Sequence, residues 1–259
     1  MSHTPVLTDK ARWATLALAV GGFGIGTGEF AMMGLMPEVG ANLGVSEPEV
    51  GHLISAYALG VVIGAPLLAV IGARVARRTM LLVLMGLFAL GNGLSALAPD
   101  YETMLVFRFL SGLPHGAYFG VAALVAASIV PLKFRTRAIS TILLGLTVAT
   151  VLGVPVVNMV SQAYGWRWCF AIVAVLAVTT MSLVALFAPR DPVHPDASPL
   201  RELAALKNRQ VWLTLGVSAI GFGGLFAVYA FVASTLREVT GVGPEVLPIV
   251  FAVFGIGMV

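Results

Sequence analysis

Apolar residues run in long, nearly unbroken stretches separated by short polar ones. The stretches cover residues 13–36, 50–72, 80–98, 104–130, 138–160, 168–188 and 211–236, and an eighth starts near Val246 and reaches the last residue. Each is close to the roughly 20 residues that an α-helix needs to cross a bilayer. Inside lipid the backbone has no water to bond, so only helices and closed barrels span it. Barrel strands alternate polar and apolar over about 10 residues, and these stretches do not alternate. The pattern predicts an all-α polytopic membrane protein, a six-helix bundle followed by the first two helices of a second bundle.

The polar interruptions add direction. Lys10, Arg12, Arg74, Arg77, Arg78, Lys133, Arg135, Arg137, Arg190, Arg201, Lys207 and Arg209 share the side of the N-terminus, against Arg167 and Arg237 opposite. By the positive-inside bias the N-terminus is expected in the cytoplasm, with the chain multi-pass in a bacterial-type inner (plasma) membrane. The longest polar stretch separates the two bundles. The expected divisions are 1–189 for the six-helix half, 190–210 for a cytoplasmic linker and 211–259 for the start of a second half. Within the linker, Asp191-Pro192-Val193-His194-Pro195-Asp196 reads as coil. Ser198 and Pro199 then start a short amphipathic helix.

The two halves echo each other. Gly22-Phe23-Gly24 recurs as Gly221-Phe222-Gly223, and the stretch from Gly44 to Val50 recurs from Gly241 to Val246. Both copies cross in the same sense, so the repeat is parallel, one of the known transporter layouts. Glu29 of the first copy aligns with Val228 of the second.

Composition agrees with the pattern. Hydrophobic residues make up 59% of the chain and charged residues 10%, against roughly 45–50% and about 25% in soluble domains. The net charge of +3 comes from clusters between apolar stretches, which argues against nucleic acid as a partner. Cys169 is the single cysteine, so no internal disulfide forms. The first apolar stretch is too long for the h-region of a secretory signal, about 7–15 residues. Trp13, Trp166 and Trp168 fall at expected membrane interfaces, as an aromatic belt.

Three ionisable side chains lie well inside spans. Glu29 sits roughly 12 Å and Arg108 roughly 10 Å below the boundary opposite the N-terminus, at 1.5 Å per residue. Charges in membranes pair or face water, so the two are expected to face one cavity; the alternative is that each snorkels or ties helices separately. His115 lies two turns beyond Arg108 on the same face. It is either a proton relay or a hydrogen-bonded core residue. Tyr57 and Asn92, at similar depth, either line the cavity or satisfy helix contacts. Gly145, Ala149 and Gly153 form a small-xxx-small row, with Pro155 expected to kink or loosen the helix. The row is either static packing or a seam that governs opening. Arg74, Arg77 and Arg78 either anchor a short loop by their charge or grip the end of a neighbouring helix. Metal-ligand spacing, a Walker loop and a catalytic cluster are all missing from the sequence, so no cofactor, no metal and no enzyme activity are expected. Gly22-Phe23-Gly24-Ile25-Gly26 lies inside a span with no strand before it and is not a nucleotide fingerprint.

These residues resemble the major facilitator superfamily, in particular its twelve-helix drug:proton antiporters of the arabinose-efflux and chloramphenicol-resistance type. The resemblance is carried by Gly28-Glu29-Phe30 through Pro37, by Ser55 through Pro66, by Arg108 through Gly116 and by Gly145 through Pro155. It implies that Arg108 assists proton movement and that the row ending in Pro155 belongs to an export-type motif. Ala73 and Ala76 stand where the family usually has aspartate and glycine, and Val157 where glycine is common. The resemblance implies about four further helices, so the chain is expected to be a partial sequence. The expected function is a secondary active transporter that exports a small sugar or drug-like solute in exchange for protons. The expected partners are the bilayer, the solute and protons, in a protein monomeric at full length. The alternative is a non-transporting polytopic membrane protein, receptor-like or an assembly subunit.

Overall fold

The computed structural model describes residues 8–190 and 204–258. The linker expected from Asp191 onward, with His194 and the helix start at Ser198, lies outside the described residues. All regular structure among the described residues is helical. The elements are α1 Asp9–Gly34, α2 Met36–Leu43, α3 Glu47–Gly72, α4 Arg77–Leu97, α5 Tyr101–Ser128, α6 Arg135–Val148, α7 Val154–Tyr164, α8 Arg167–Phe187, α9 Arg209–Thr235 and α10 Leu247–Gly257. Seven helical stretches are long and apolar enough to cross a membrane, and a shorter apolar one spans Pro244–Gly257.

Local chemistry sets where the helices begin. The Thr8 side chain accepts a bond from the Ala11 N–H at 3.3 Å and opens α1. At α3, the Ser46 N–H donates to Glu49 Oε2 at 2.7 Å, closing a capping box. That box starts the helix at Glu47, three residues before the apolar stretch. Asp100 caps α5 by accepting from the Thr103 N–H at 2.9 Å and its hydroxyl at 2.7 Å. Those bonds hold the Asp100 carboxyl below its ordinary range. The sequence placed a loop after the first span, whereas α2 forms there and buries Met36, Val39 and Gly40. Both α2 and the last turn after α9 end on a left-handed glycine, Gly44 at φ 69° and Gly241 at φ 66°. These two positions are matched in the repeat, so the halves share backbone geometry as well as sequence.

The fifth span is not one regular helix. Between α6 and α7, Ala149–Gly153 forms a π-helical turn. Pro155 has no N–H to give the residue four before it, and the wide turn absorbs that break. The expected disturbance at Pro155 is therefore present, displaced into the turn before it.

The helices pack around α1, the most buried of the seven spans. It lies against α6, α8 and the π turn, while α3 pairs with α5 and α4 with both α5 and α8. The Tyr118 hydroxyl of α5 donates to the Leu18 carbonyl of α1 at 2.8 Å, tying two central helices. At the α3–α5 crossing, a Cβ on Gly64 would run into the Leu113 carbonyl, and one on Gly112 into that of Tyr57. Backbone meets backbone there, so neither side can yield. Trp166 departs from the expected belt: it is buried, and its Nε1–H donates to Asn42 Oδ1 at 3.1 Å. The α2 helix, unforeseen in the sequence, supplies that partner. Gly64→Val is expected to destabilise the bundle by about 3 kcal/mol, the upper end for overpacking. A thermal melt in detergent checks this, and an unchanged midpoint contradicts it.

Candidate functional site

Arg108 on α5 is the largest fully buried side chain among the described residues. Its Nη2 donates to the Gly28 carbonyl at 3.4 Å, a long and weak bond. Its guanidinium lies 4.3 Å from the Tyr57 ring centroid and 5.3 Å from that of Phe170. Nε and Nη1 have no hydrogen-bond partner. Two cation–π contacts, about 2 kcal/mol or more each when desolvated, offset part of the several kcal/mol that burying such a charge costs, and two of its donor nitrogens stay unsatisfied.

Glu29 is the residue after Gly28, so α1 and α5 do bring the two charges to one depth. Of the ways in which they could share a cavity, direct pairing is not seen: no ion pair within 4.0 Å joins them, and the half-buried Glu29 makes no hydrogen bond. The charges remain within electrostatic reach of each other. The guanidinium instead lies over the Tyr57 and Phe170 rings and gives its one hydrogen bond to the main chain. Asn92 of α4 completes this surface. Its Nδ2 donates to the Phe88 carbonyl at 2.8 Å, and its Oδ1 is buried without a partner beside Gly28.

The third ionisable residue joins the same cluster through Tyr57. The Tyr57 hydroxyl and His115 Nδ1 lie 2.9 Å apart. A continuous contact therefore runs from Arg108 through the Tyr57 ring to His115, with Phe119 packed on the imidazole at 5.4 Å. His115 is therefore hydrogen-bonded, and its partner Tyr57 is itself one of the candidate residues.

The small row packs against α1. A Cβ at Gly145 would strike the Ala19 carbonyl, one at Gly153 the Thr27 hydroxyl, and Ala149 faces Gly26. The other side of the π turn meets α10, where a Cβ on Gly255 would lie 2.8 Å from the Thr150 carbonyl. The turn thus sits between the six-span bundle and the last helix.

That contact belongs to a larger seam on the side opposite the N-terminus. Phe30, Met33 and Val154 pack with Tyr229, Ala233, Leu247 and Phe251. Arg237 pairs with Glu38 at 3.2 Å, and Gln162 Nε2 donates to the Pro244 carbonyl at 2.8 Å. Tyr229 Oη, Ser234 Oγ and Asn158 Oδ1 are buried without partners, and Asn158 lies against Gly34. By contrast, no residue of α9 from Arg209 to Val228 is buried.

The loop arginines separate into roles. Arg78 Nη2 donates to the Ala185 carbonyl at the C-terminal end of α8, which satisfies a helix-end acceptor and opposes its dipole. Arg78 therefore grips a neighbouring helix, within the same bundle. Arg77 lines the mouth of a groove of about 440 Å³ between α3 and α5 that ends at Gly116 and Ala117. Arg74 is exposed.

The sequence reading missed Phe170, Asn158 and Tyr229. Phe170 carries no signal in an apolar span. An amide in such a span does signal a need for partners, so Asn158 was findable.

Arg108→Met keeps volume and removes the unpaired charge. It is expected to raise the melting midpoint by about 2–4 °C, since replacing a poorly compensated buried ion is often stabilising. A drop of similar size would make Arg108 a structural anchor.

Comparison with known proteins places this geometry. Residues 18–259 match the sequence profile of the Major Facilitator Superfamily. Inner membrane transport protein YdhP of Escherichia coli K12 is 40% identical over 96% of this chain and 64% of that protein. The chloramphenicol resistance protein of Streptomyces lividans is 33% identical over 93% of this chain and 62% of its own length. The chain thus spans a little under two thirds of the length of these relatives. A bacterial homologue of the human lysosomal transporter Spinster, solved inward-facing and unoccupied, matches with a TM-score of 0.75 and 20% identity, over 96% of this chain and 61% of that one. At that identity the likeness concerns the fold. Matched from the middle of α1 to its last residue, and folded as six spans plus two, the chain belongs to the Major Facilitator Superfamily.

Proposed function

We propose that the full-length protein exports a small solute in exchange for protons, by alternating access between two helical halves. The observation that carries this is the buried, carboxylate-free Arg108 beside the unbonded Glu29. Arginine cannot lose its proton inside a protein, so Arg108 supplies a fixed positive field, and Glu29 is the group that gains or loses charge. A protonated Glu29 leaves the guanidinium to its rings and the Gly28 carbonyl. An ionised Glu29 is drawn to the free Nε and Nη1 edge. The Asn92 amide near that depth, and the Tyr57–His115 pair reaching further into the span, offer neutral hydrogen-bonding groups to a solute. So sparse a set of charges suits neutral, amphipathic or weakly cationic solutes, and the relatives named for chloramphenicol resistance and for sugar efflux fit that class.

The seam opposite the N-terminus acts, on this proposal, as the closed outer gate. Its buried polar groups without partners, each worth about 1–3 kcal/mol of desolvation, favour its parting. On the same proposal the other end faces the cytoplasm, which the basic residues clustered there support.

Full-length protein in vesicles with an imposed proton gradient tests the coupling, with chloramphenicol and arabinose as first probes. Glu29→Gln is expected to abolish gradient-driven flux while solute still binds. Full flux from that variant removes Glu29 from the mechanism, and binding without flux by the native protein favours a non-transporting role.

The gate has its own test. Joint replacement Glu38→Gln and Arg237→Gln is expected to raise outer-gate opening by about 1.4- to fivefold, since measured ion pairs of this partly exposed kind contribute about 0.2–1 kcal/mol. Labelling of Ser234→Cys in a Cys169→Ala background, with an impermeant maleimide, reads this. An unchanged rate contradicts the gate assignment.

A further inference from the structure

We propose that the recess between α4 and α8, at the N-terminal end of the bundle, binds the phosphate of an anionic glycerophospholipid. The recess has a volume of about 230 Å³ and is lined by Ala76, Arg78, Thr79, Leu82 and Arg190. With water at about 30 Å³ per molecule, that leaves room for a phosphate group and the glycerol carbons attached to it. Two arginines and one threonine line one small volume. Arg78 spends one nitrogen on the Ala185 carbonyl, and its Nε is buried with no partner. Neither Arg78 nor Arg190 forms an ion pair with any described acid. The contrast with Arg237, which pairs with Glu38, and Arg12, which pairs with Asp9, is direct.

The surroundings favour a lipid as the source of the phosphate. The recess opens where two long apolar helices reach their polar ends. Val83 on α4 and Leu186 on α8 are 50% and 74% exposed, as befits a surface that meets acyl chains. The last two described helices pack on α1, α2, the π turn and α7, away from the α4–α8 pair. Guanidinium forks match phosphate oxygens, and basic pockets at the cytoplasmic ends of spanning helices recruit anionic headgroups. A headgroup with its own cation would meet two positive charges and no described acid, so the site selects phosphatidylglycerol-like over phosphatidylcholine-like lipids. This rests on the membrane placement of the fold and is independent of proton exchange.

Native mass spectrometry of the full-length protein, with phosphatidylglycerol and phosphatidylcholine offered together, tests the site. The native protein is expected to retain phosphatidylglycerol preferentially. Arg190→Gln, which leaves the α8 cap intact, is expected to weaken that retention by about fivefold per lost charge and to leave phosphatidylcholine unchanged. Thr79→Val serves as a second, uncharged perturbation and is expected to weaken it less. Equal retention of the two lipids, or a preference that survives Arg190→Gln, overturns the proposal. So does displacement of the lipid by glycerol 3-phosphate or inorganic phosphate at equal concentration, which would make the ligand a free anion.

Discussion

Arg108 carries a permanent charge in the middle of an apolar bundle, and its neighbours are arranged around the problem that this creates. Its guanidinium lies over the rings of Tyr57 and Phe170, with one long bond to the Gly28 carbonyl. A tight carboxylate partner would have neutralised it. The chain places Glu29 one residue past that carbonyl and leaves it unbonded. A buried ion that is only partly compensated lowers stability, and proteins keep such arrangements where the groups act. The Gly-rich face of α1 follows from the same constraint. At Gly28 any side chain would meet Phe88 and Val173, so the backbone itself can approach Arg108.

The seam across the far end obeys a second version of this logic. Tyr229, surrounded by Phe30, Phe251 and Phe254, buries a hydroxyl with no partner. Asn158 does the same with its carbonyl oxygen. Apolar and aromatic contact holds the seam shut, and unsatisfied polar atoms work against it. The near end of α9 touches little. An interface balanced between opposing contributions can switch with small inputs of free energy, because packed surfaces adopt discrete arrangements rather than deforming continuously.

Much of this was legible in the sequence. Length and uniformity of the apolar stretches placed the spans, because lipid tolerates few other backbones. Glu29, Arg108, His115, Tyr57 and Asn92 stood out because polar groups in spans need a reason, and the structure brings them into one region. What could not be read was pairwise geometry. Helical periodicity gave Arg108 and Glu29 a common depth but not the rotation that turns the guanidinium to Gly28. The Tyr57–His115 bond joins residues 58 apart, set by the close α3–α5 crossing at Gly64 and Gly112. Helix α2 was missed because eight residues that bury only Met36, Val39 and Gly40 resemble a loop in hydropathy. Trp166 was assigned to the interface because its partner, Asn42, lies on that same unforeseen helix.

The central claim is that Glu29, beside a fixed Arg108 charge, is the group that takes up and gives away a proton. Infrared difference spectroscopy of the full-length protein in a bilayer, between mildly acidic and mildly alkaline buffer, observes the carboxyl group itself. The account predicts a protonated-carboxyl band that appears on the acidic side and is missing from Glu29→Gln. A band of undiminished size in that variant, or none in the native protein, would contradict it.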